Sequence, residues 1–246
     1  MEAPALILGF MGSTFLLAGL VKGVIGIGLP TIAMGLLAVV MAPAQAASLV
    51  VVPSFVTNVW QLALGPRIGP LLRRLWPMLL GICLGAWAGA GLLDQGARPG
   101  MALGAVLVLY AVFALTSVEV SVPGHAEPWL SPLIGAATGI VTAATGVYVI
   151  PAVPYMQALG LEKDELVQAC GVSFTVSTVA LAAILAHDGA LETSIAGASL
   201  LALVPALIGM AVGQWVRSRV RPDVFRVCFL LGLLLLGAHL ALRGAL

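Results

Sequence analysis

Along this chain polar residues are sparse and gathered, and apolar residues run almost uninterrupted between them. Charges, glycines and prolines divide it into ten apolar segments, about 5–22, 29–42, 44–64, 70–93, 100–118, 130–145, 147–159, 164–186, 193–216 and 223–242. A helix needs about 20 residues to cross the hydrocarbon core of a bilayer, and eight of these segments come near that length or exceed it. The other two, 29–42 and 147–159, reach only about 20 Å at 1.5 Å per residue, against a core of about 30 Å. They are expected to be half-helices or re-entrant turns. The alternation of a membrane-spanning strand is missing, which argues against a barrel.

The one sizeable polar linker, Val118–Pro128 with Glu119, Pro123, His125, Glu127 and Pro128, falls almost at the middle of the chain. Its position points to an internal repeat. Gly23 aligns with Gly139 and Gly35 with Pro151 without a gap; after a four-residue insertion, Val56-Thr57-Asn58-Val59 aligns with Val176-Ser177-Thr178-Val179. Each half reads as a long helix, a small-residue break, a short helix, a polar-bearing helix and a hairpin. The expected fold is an all-α polytopic membrane protein of two inverted repeats, about five helical segments each, with eight long spans and two short or broken helices. The expected divisions are 1–120 as first repeat, 121–128 as cytoplasmic linker and 129–246 as second repeat.

Inversion follows from the basic residues, which collect on the cytoplasmic side of a membrane protein. Arg67, Arg73 and Arg74 stand between the third and fourth segments of half one, and Arg217, Arg219, Arg221 and Arg226 around the fourth and fifth of half two. With four crossings per half these clusters would face opposite sides. With five, both fall inside with Lys163, while Arg98, Arg243, the stretch His187-Asp188 to Glu192 and the N-terminus fall outside.

Composition narrows the class further. Of 246 residues, 61% are hydrophobic and 9% charged, with a net charge of +1 and a mean hydropathy of +1.13; a soluble domain carries about 25% charged residues. Disordered, nucleic-acid-binding and disulfide-rich secreted classes are excluded together, and no length remains for a soluble domain. Cys83, Cys170 and Cys228 lie inside apolar runs and read as small buried residues. Met1-Glu2-Ala3-Pro4 carries no basic region ahead of the apolar stretch, so a retained first span is expected rather than a cleaved signal.

Candidate chemistry concentrates at the breaks. Gly23, Gly26 and Gly28, followed by Pro30, make the stretch 19–30 the worst place in the chain to continue a helix. Backbone freed inside a bilayer persists only in protein or beside a watery cavity, and half-helix N-termini suit an anion. The matching stretch of half two carries Thr142, Thr145 and Gly146. Paired interruptions in inverted halves point to a central transport site, in which Gly26 and Gly28 should face Thr142 and Thr145; the alternative is that the glycines only let helices pack closely. Lys22 reads as an anion contact or as a side chain snorkelling to the interface. Ser54, Thr57, Asn58 and Gln61 share one helical face. Ser177 and Thr178 align with Thr57 and Asn58, and these groups read as anion ligands or as interhelical glue. Neither a zinc motif, a nucleophile elbow, a P-loop nor a mid-span carboxylate appears. Trp60, Trp76, Trp129 and Trp215 stand near segment ends, as interfacial anchors do.

The glycine-rich break over Gly19–Leu37 with Pro30, the run Pro43-Ala44-Gln45-Ala46-Ala47, the run Asn58-Val59-Trp60-Gln61 and the recurrence over Gly135–Pro151 resemble the sulfite exporter TauE/SafE family, also called the toluene sulfonate uptake permease family. Gly35, where members often carry proline, and the missing glycine run at Thr142–Thr145 depart from its pattern. The resemblance implies a secondary transporter of small sulfur-containing anions (sulfite, sulfoacetate or other organosulfonates) in a bacterial inner membrane. On this reading the substrate would meet Lys22, Gly23, Gly26, Gly28, Thr57, Asn58, Gln61, Thr142, Thr145, Gly146, Ser177 and Thr178. Expected partners are a small anion, membrane lipid, protons as coupling ion and a second copy of the chain, with no nucleic acid, cofactor, metal or enzymatic role. A passive channel or a structural subunit of a membrane complex is the alternative.

Overall fold

A computed structural model covers the chain. It describes the backbone of all residues except 1, 64, 66, 67, 96–98, 117–120, 192, 218, 220, 221 and 244–246, and the side chains of the remainder except 2–6, 94, 95, 193, 194, 196, 222 and 223. Arg67, Arg98, Glu119, Glu192 and Arg221 therefore lie outside the described residues. The elements are α1 (Glu2–Ile25), α2 (Leu29–Leu37), α3 (Pro43–Ala63), α4 (Ile68–Ala88), α5 (Leu92–Gln95), α6 (Pro99–Thr116), α7 (Glu127–Thr145), α8 (Ala152–Ala158), α9 (Lys163–His187), α10 (Thr193–Arg217) and α11 (Pro222–Arg243). Among the described residues all regular structure is helical. Eight helices are long and α2 and α8 short, as the segment pattern foretold, and the four-residue α5 is one further turn after α4. Seven of the eight are long and apolar enough to cross a membrane. The eighth, α7, carries Glu127, Ser131, Thr138, Thr142 and Thr145 along its length.

Two helix pairs pack at glycine contact, and they repeat one another. On α1 a Cβ at Gly19 would stand 2.1 Å from the carbonyl oxygen of Ala206, and one at Gly23 2.3 Å from that of Met210; on α10 Gly209 and Gly213 approach Leu16 and Leu20 equally closely. On α7, Gly135 and Gly139 meet the carbonyls of Met78 and Ile82, and on α4 Gly81 and Gly85 meet those of Pro132 and Ala136. The correspondence is residue for residue: Gly19 with Gly135 and Gly23 with Gly139 (116 apart), Gly209 with Gly81 and Gly213 with Gly85 (128 apart). Each seam is a pair of small-xxx-small motifs, the arrangement that lets backbones close on each other in a bilayer. The pair α1/α10 is thus the counterpart of α7/α4.

The remaining contacts give the axis its direction. Gly104 on α6 meets Gly237 and Ala241 on α11, while Gly237 meets Gly104 and Val108, so these helices run antiparallel and exchange with each other. On α3 and α9, Asn58 touches Thr178 while Gln61 reaches Val167; these too are antiparallel. A twofold that exchanges antiparallel helices lies perpendicular to them, in the plane of the membrane. The repeats are therefore inverted, and the axis passes between Asn58 and Thr178, the one aligned pair found in mutual contact.

Helix direction also decides the short segments. Residues ascend together on α1 and α10, with Leu16 against Gly209 and Leu20 against Gly213. They ascend together on α3 and α10 as well, with Leu49 bonded to Ser199 and Gln61 sharing a cleft with Gln214. Because α1 and α3 run the same way, the chain between Ile25 and Pro43 travels back across the membrane. The nine residues of α2 supply about 14 Å of that path, and the break before it and the turns after it supply the rest. Neither re-entrant turns nor a skipped crossing fits these directions.

Inside α3, Pro53 lacks the N–H that would bond the carbonyl of Leu49; the Ser199 hydroxyl of α10 donates to that carbonyl at 2.8 Å instead. The outer faces are apolar and exposed, as at Leu8, Leu201 and Leu235, and Trp60, Trp76, Trp129 and Trp215 are exposed with them. Arg73, Arg74, Lys163, Arg217 and Arg226 stand at helix ends on one face. There Arg74 grips Glu127 in a two-point ion pair at 2.6 and 2.8 Å, and Lys163, Arg217 and Arg226 line one cavity.

Candidate anion site on the internal axis

Lys22 sits in the last turn of α1 with 3% of its surface exposed. Its Nζ donates to Oδ1 of Asn58 on α3. Nδ2 of Asn58 donates to the Thr178 hydroxyl on α9 at 3.3 Å, and that hydroxyl donates to the Phe174 carbonyl at 2.6 Å. The lysine therefore turns into the bundle and does not snorkel. Placing a lysine at the centre of a span costs about 2.5–3.5 kcal/mol on insertion scales, and one hydrogen bond to a charged group returns about 1.5–3 kcal/mol. Asn58 alone leaves the ammonium without a counter-charge.

Buried hydroxyls stand around this chain: Ser54 Oγ lies one turn before Asn58, and Ser177 Oγ, next to Thr178, has no partner. The Tyr148 ring packs on Phe174 with centroids 6.0 Å apart and its hydroxyl lies toward Thr178 and Ser54. An unsatisfied buried polar group costs about 1–3 kcal/mol. Lys22, Asn58 and Thr178, with the Ser54 and Tyr148 hydroxyls beside Thr178, make a buried donor-rich group suited to a small oxyanion.

A cleft of about 410 Å³ leads to the cation. It is lined by Lys22, Gly23, Gly26, Trp60, Gln61 and Gln214, with Asp164 and Arg217 at the mouth. On the opposite face a cavity of about 640 Å³ between α4 and α9 is lined by Ala86, Trp87, Thr175, Ala180 and His187. Ala180 and Ala86 are the counterparts of Trp60 and Gln214, but the counterparts of Lys22, Gly23, Gly26 and Gln61, which are Thr138, Gly139, Thr142 and Leu181, do not line it and are buried, so the counterpart of the polar cleft is closed on that face. The scaffold is symmetric and the charge is not: Thr138 occupies the position of Lys22 in half two.

The structure departs from the sequence-based expectation at the breaks. A Cβ on Gly26 would meet Val167, and one on Gly28 would meet Phe229, Val21 and Ile32; neither meets Thr142 or Thr145, and Gly146 packs on Met34. The reason is geometric. Helix α1 runs one turn past Lys22 toward the Asp164 and Arg217 face before it breaks, and α7 runs about two turns past Thr138, the counterpart of Lys22, toward the opposite face before it breaks at Gly146. Gly26, Gly28 and Gly146 have φ of +89°, +111° and +70°, so these glycines serve the turns themselves. Thr142 and Thr145 donate to the carbonyls of Thr138 and Val141 at 2.8 and 2.7 Å, and Thr57 to that of Pro53 at 2.7 Å. Gln61 Nε2 bonds the Val167 carbonyl at 2.7 Å, clamping α3 to α9, and Gly23 seats α1 on α10. Of the residues singled out from sequence, Lys22, Asn58 and Thr178 form one bonded group. Sequence reasoning passed over Tyr148, whose signal was a phenol two residues past Gly146 of the second break.

No curated protein and no solved structure matches the chain. A family model described as the sulfite exporter TauE/SafE matches residues 11–240, nearly the whole length, and a multi-pass helical membrane protein of anion-exporter type agrees with the fold above. The chain belongs to the sulfite exporter TauE/SafE family.

Proposed function

We propose that this protein is a secondary transporter of a small sulfur oxyanion (sulfite, sulfoacetate or another organosulfonate) and works by alternating access across a bacterial inner membrane. The observation that carries this reading is the buried Lys22–Asn58–Thr178 group on the internal twofold, at the end of a cleft open to one face. In transporters built of inverted repeats, exchange of the two halves' conformations moves the opening from one face to the other around a fixed site. The polar cleft closes as its buried counterpart on the opposite face opens, and the anion on the axis is exposed to each side in turn. The face bearing Arg73, Arg74, Lys163, Arg217 and Arg226 is the cytoplasmic one by the charge rule, which puts the N-terminus outside.

Purified protein reconstituted in liposomes tests the reading. Saturable flux of radiolabelled sulfite or sulfoacetate, lost in Lys22→Met, is the expected result. No flux of any of these anions in either direction contradicts it.

A further inference from the structure

Lys22 is the one buried charged side chain among the described residues, and its surroundings supply no anion. Its bonded partner is the neutral amide of Asn58. The thiol of Cys170 on α9 is the titratable group that acts on it within the bundle. On α9 and α10, Asp164 and Arg217 stand at the cleft mouth, and Arg226 of α11 lines the adjoining cavity behind Val24, Ile25 and Ile27. Helices α2 and α3 present no charged residue at all. With an anion bound, an ammonium here is balanced. With the site empty and closed, an ammonium would be a lone buried charge, and a group so placed neutralises instead.

Resting on the transport reading above, we propose that Lys22 takes up one proton with each anion and releases it with the anion. The step balances as neutral amine, proton and anion combining to ammonium and anion, with no bond broken other than the one the proton leaves on water or buffer. The empty carrier then returns uncharged, a monoanion moves with one proton and no net charge, and a dianion moves with one net negative charge. Asn58 serves both forms, since its Oδ1 accepts from an amine as well as from an ammonium.

Calorimetry on the full-length protein in detergent at pH 8 tests this, with methanesulfonate, whose charge does not change with pH, and with sulfite as probes. Each titration is run in two buffers of different ionisation enthalpy, which yields the protons taken up per anion bound. About one proton per methanesulfonate is expected in the wild type, and none in Lys22→Arg, which keeps a fixed charge. For sulfite, the wild type is expected to exceed Lys22→Arg by about one proton. Binding with no proton uptake, or with equal uptake in wild type and Lys22→Arg, overturns the proposal and leaves the anion site standing. Binding of neither probe to a monodisperse wild type overturns the anion site and this inference with it. If Lys22→Arg is not monodisperse, Lys22→Gln provides the uncharged comparison, for which tenfold weaker binding and no proton uptake are expected.

Discussion

Asn58 holds a cation by a neutral oxygen, and that choice of side chain has consequences that can be read one substitution at a time. Asn58→Ala removes the bond to Lys22 and the one to Thr178. Anion affinity should fall by roughly 1–3 kcal/mol, about 5- to 150-fold in Kd, in a calorimetric titration. Asn58→Asp should act the other way on the fold and worse on the ligand. A fixed carboxylate would neutralise Lys22, raise the melting temperature and take the place of the anion, so sulfite binding should vanish in a more stable protein. Unchanged affinity in Asn58→Asp would mean that Lys22 is not an anion contact. Thr142→Val is the contrasting case. Its hydroxyl is spent on the carbonyl of Thr138, so it offers the anion no donor and transport should stay within about twofold of wild type, the lost bond costing about 0.5–1.5 kcal/mol of stability.

Glycine seams govern the behaviour of whole helices. At Gly213 a Cβ would stand 2.2 Å from the Leu20 carbonyl and at Gly85 2.0 Å from that of Ala136, whereas at Gly9 and Gly232 it would meet nothing within 4 Å. Gly85→Val and Gly213→Val should therefore each lower stability by at least the 1–3 kcal/mol typical of overpacking, and by similar amounts because the seams are equivalents. Gly9→Ala should leave the melting curve unmoved, and thermal unfolding in detergent reads all three. These seams were legible in the sequence as glycines four apart, at 19 and 23, 81 and 85, 135 and 139, and 209 and 213. What the sequence withheld was which seam closes on which. Apolar faces fit many partners, and only the packed bundle fixes α1 on α10 and α7 on α4. The polar face through Ser54, Asn58 and Gln61 was equally plain from spacing. The division between ligand and glue was not, because a threonine that bonds its own preceding turn looks in sequence like one aimed at a substrate. The breaks were misread as facing one another for a related reason: spacing locates a break along the chain and says nothing of its depth in the membrane.

For the molecule as a whole, the internal twofold relates the open polar cleft to its closed counterpart on the opposite face, and it sets what alternating access must look like. Trp60 lines the cleft beside Lys22 and Ala180 lines the cavity on the other face. Trp60→Cys and Ala180→Cys, each in a background without Cys83, Cys170 and Cys228, should react with a membrane-impermeant maleimide from opposite sides. Anion and pH should shift their labelling rates in opposite directions, and a parallel shift would exclude exchange between inverted halves. The central claim is that the anion sits on the axis, and a crystal structure grown with selenite tests it most directly, since selenite has the shape of sulfite and an anomalous scatterer at its centre. The expected result is an anomalous peak within hydrogen-bonding reach of Lys22 Nζ, with oxygens on the hydroxyls of Ser54, Tyr148 or Ser177. A peak confined to the cavity among Lys163, Arg217 and Arg226, with only water beside Lys22, would contradict it.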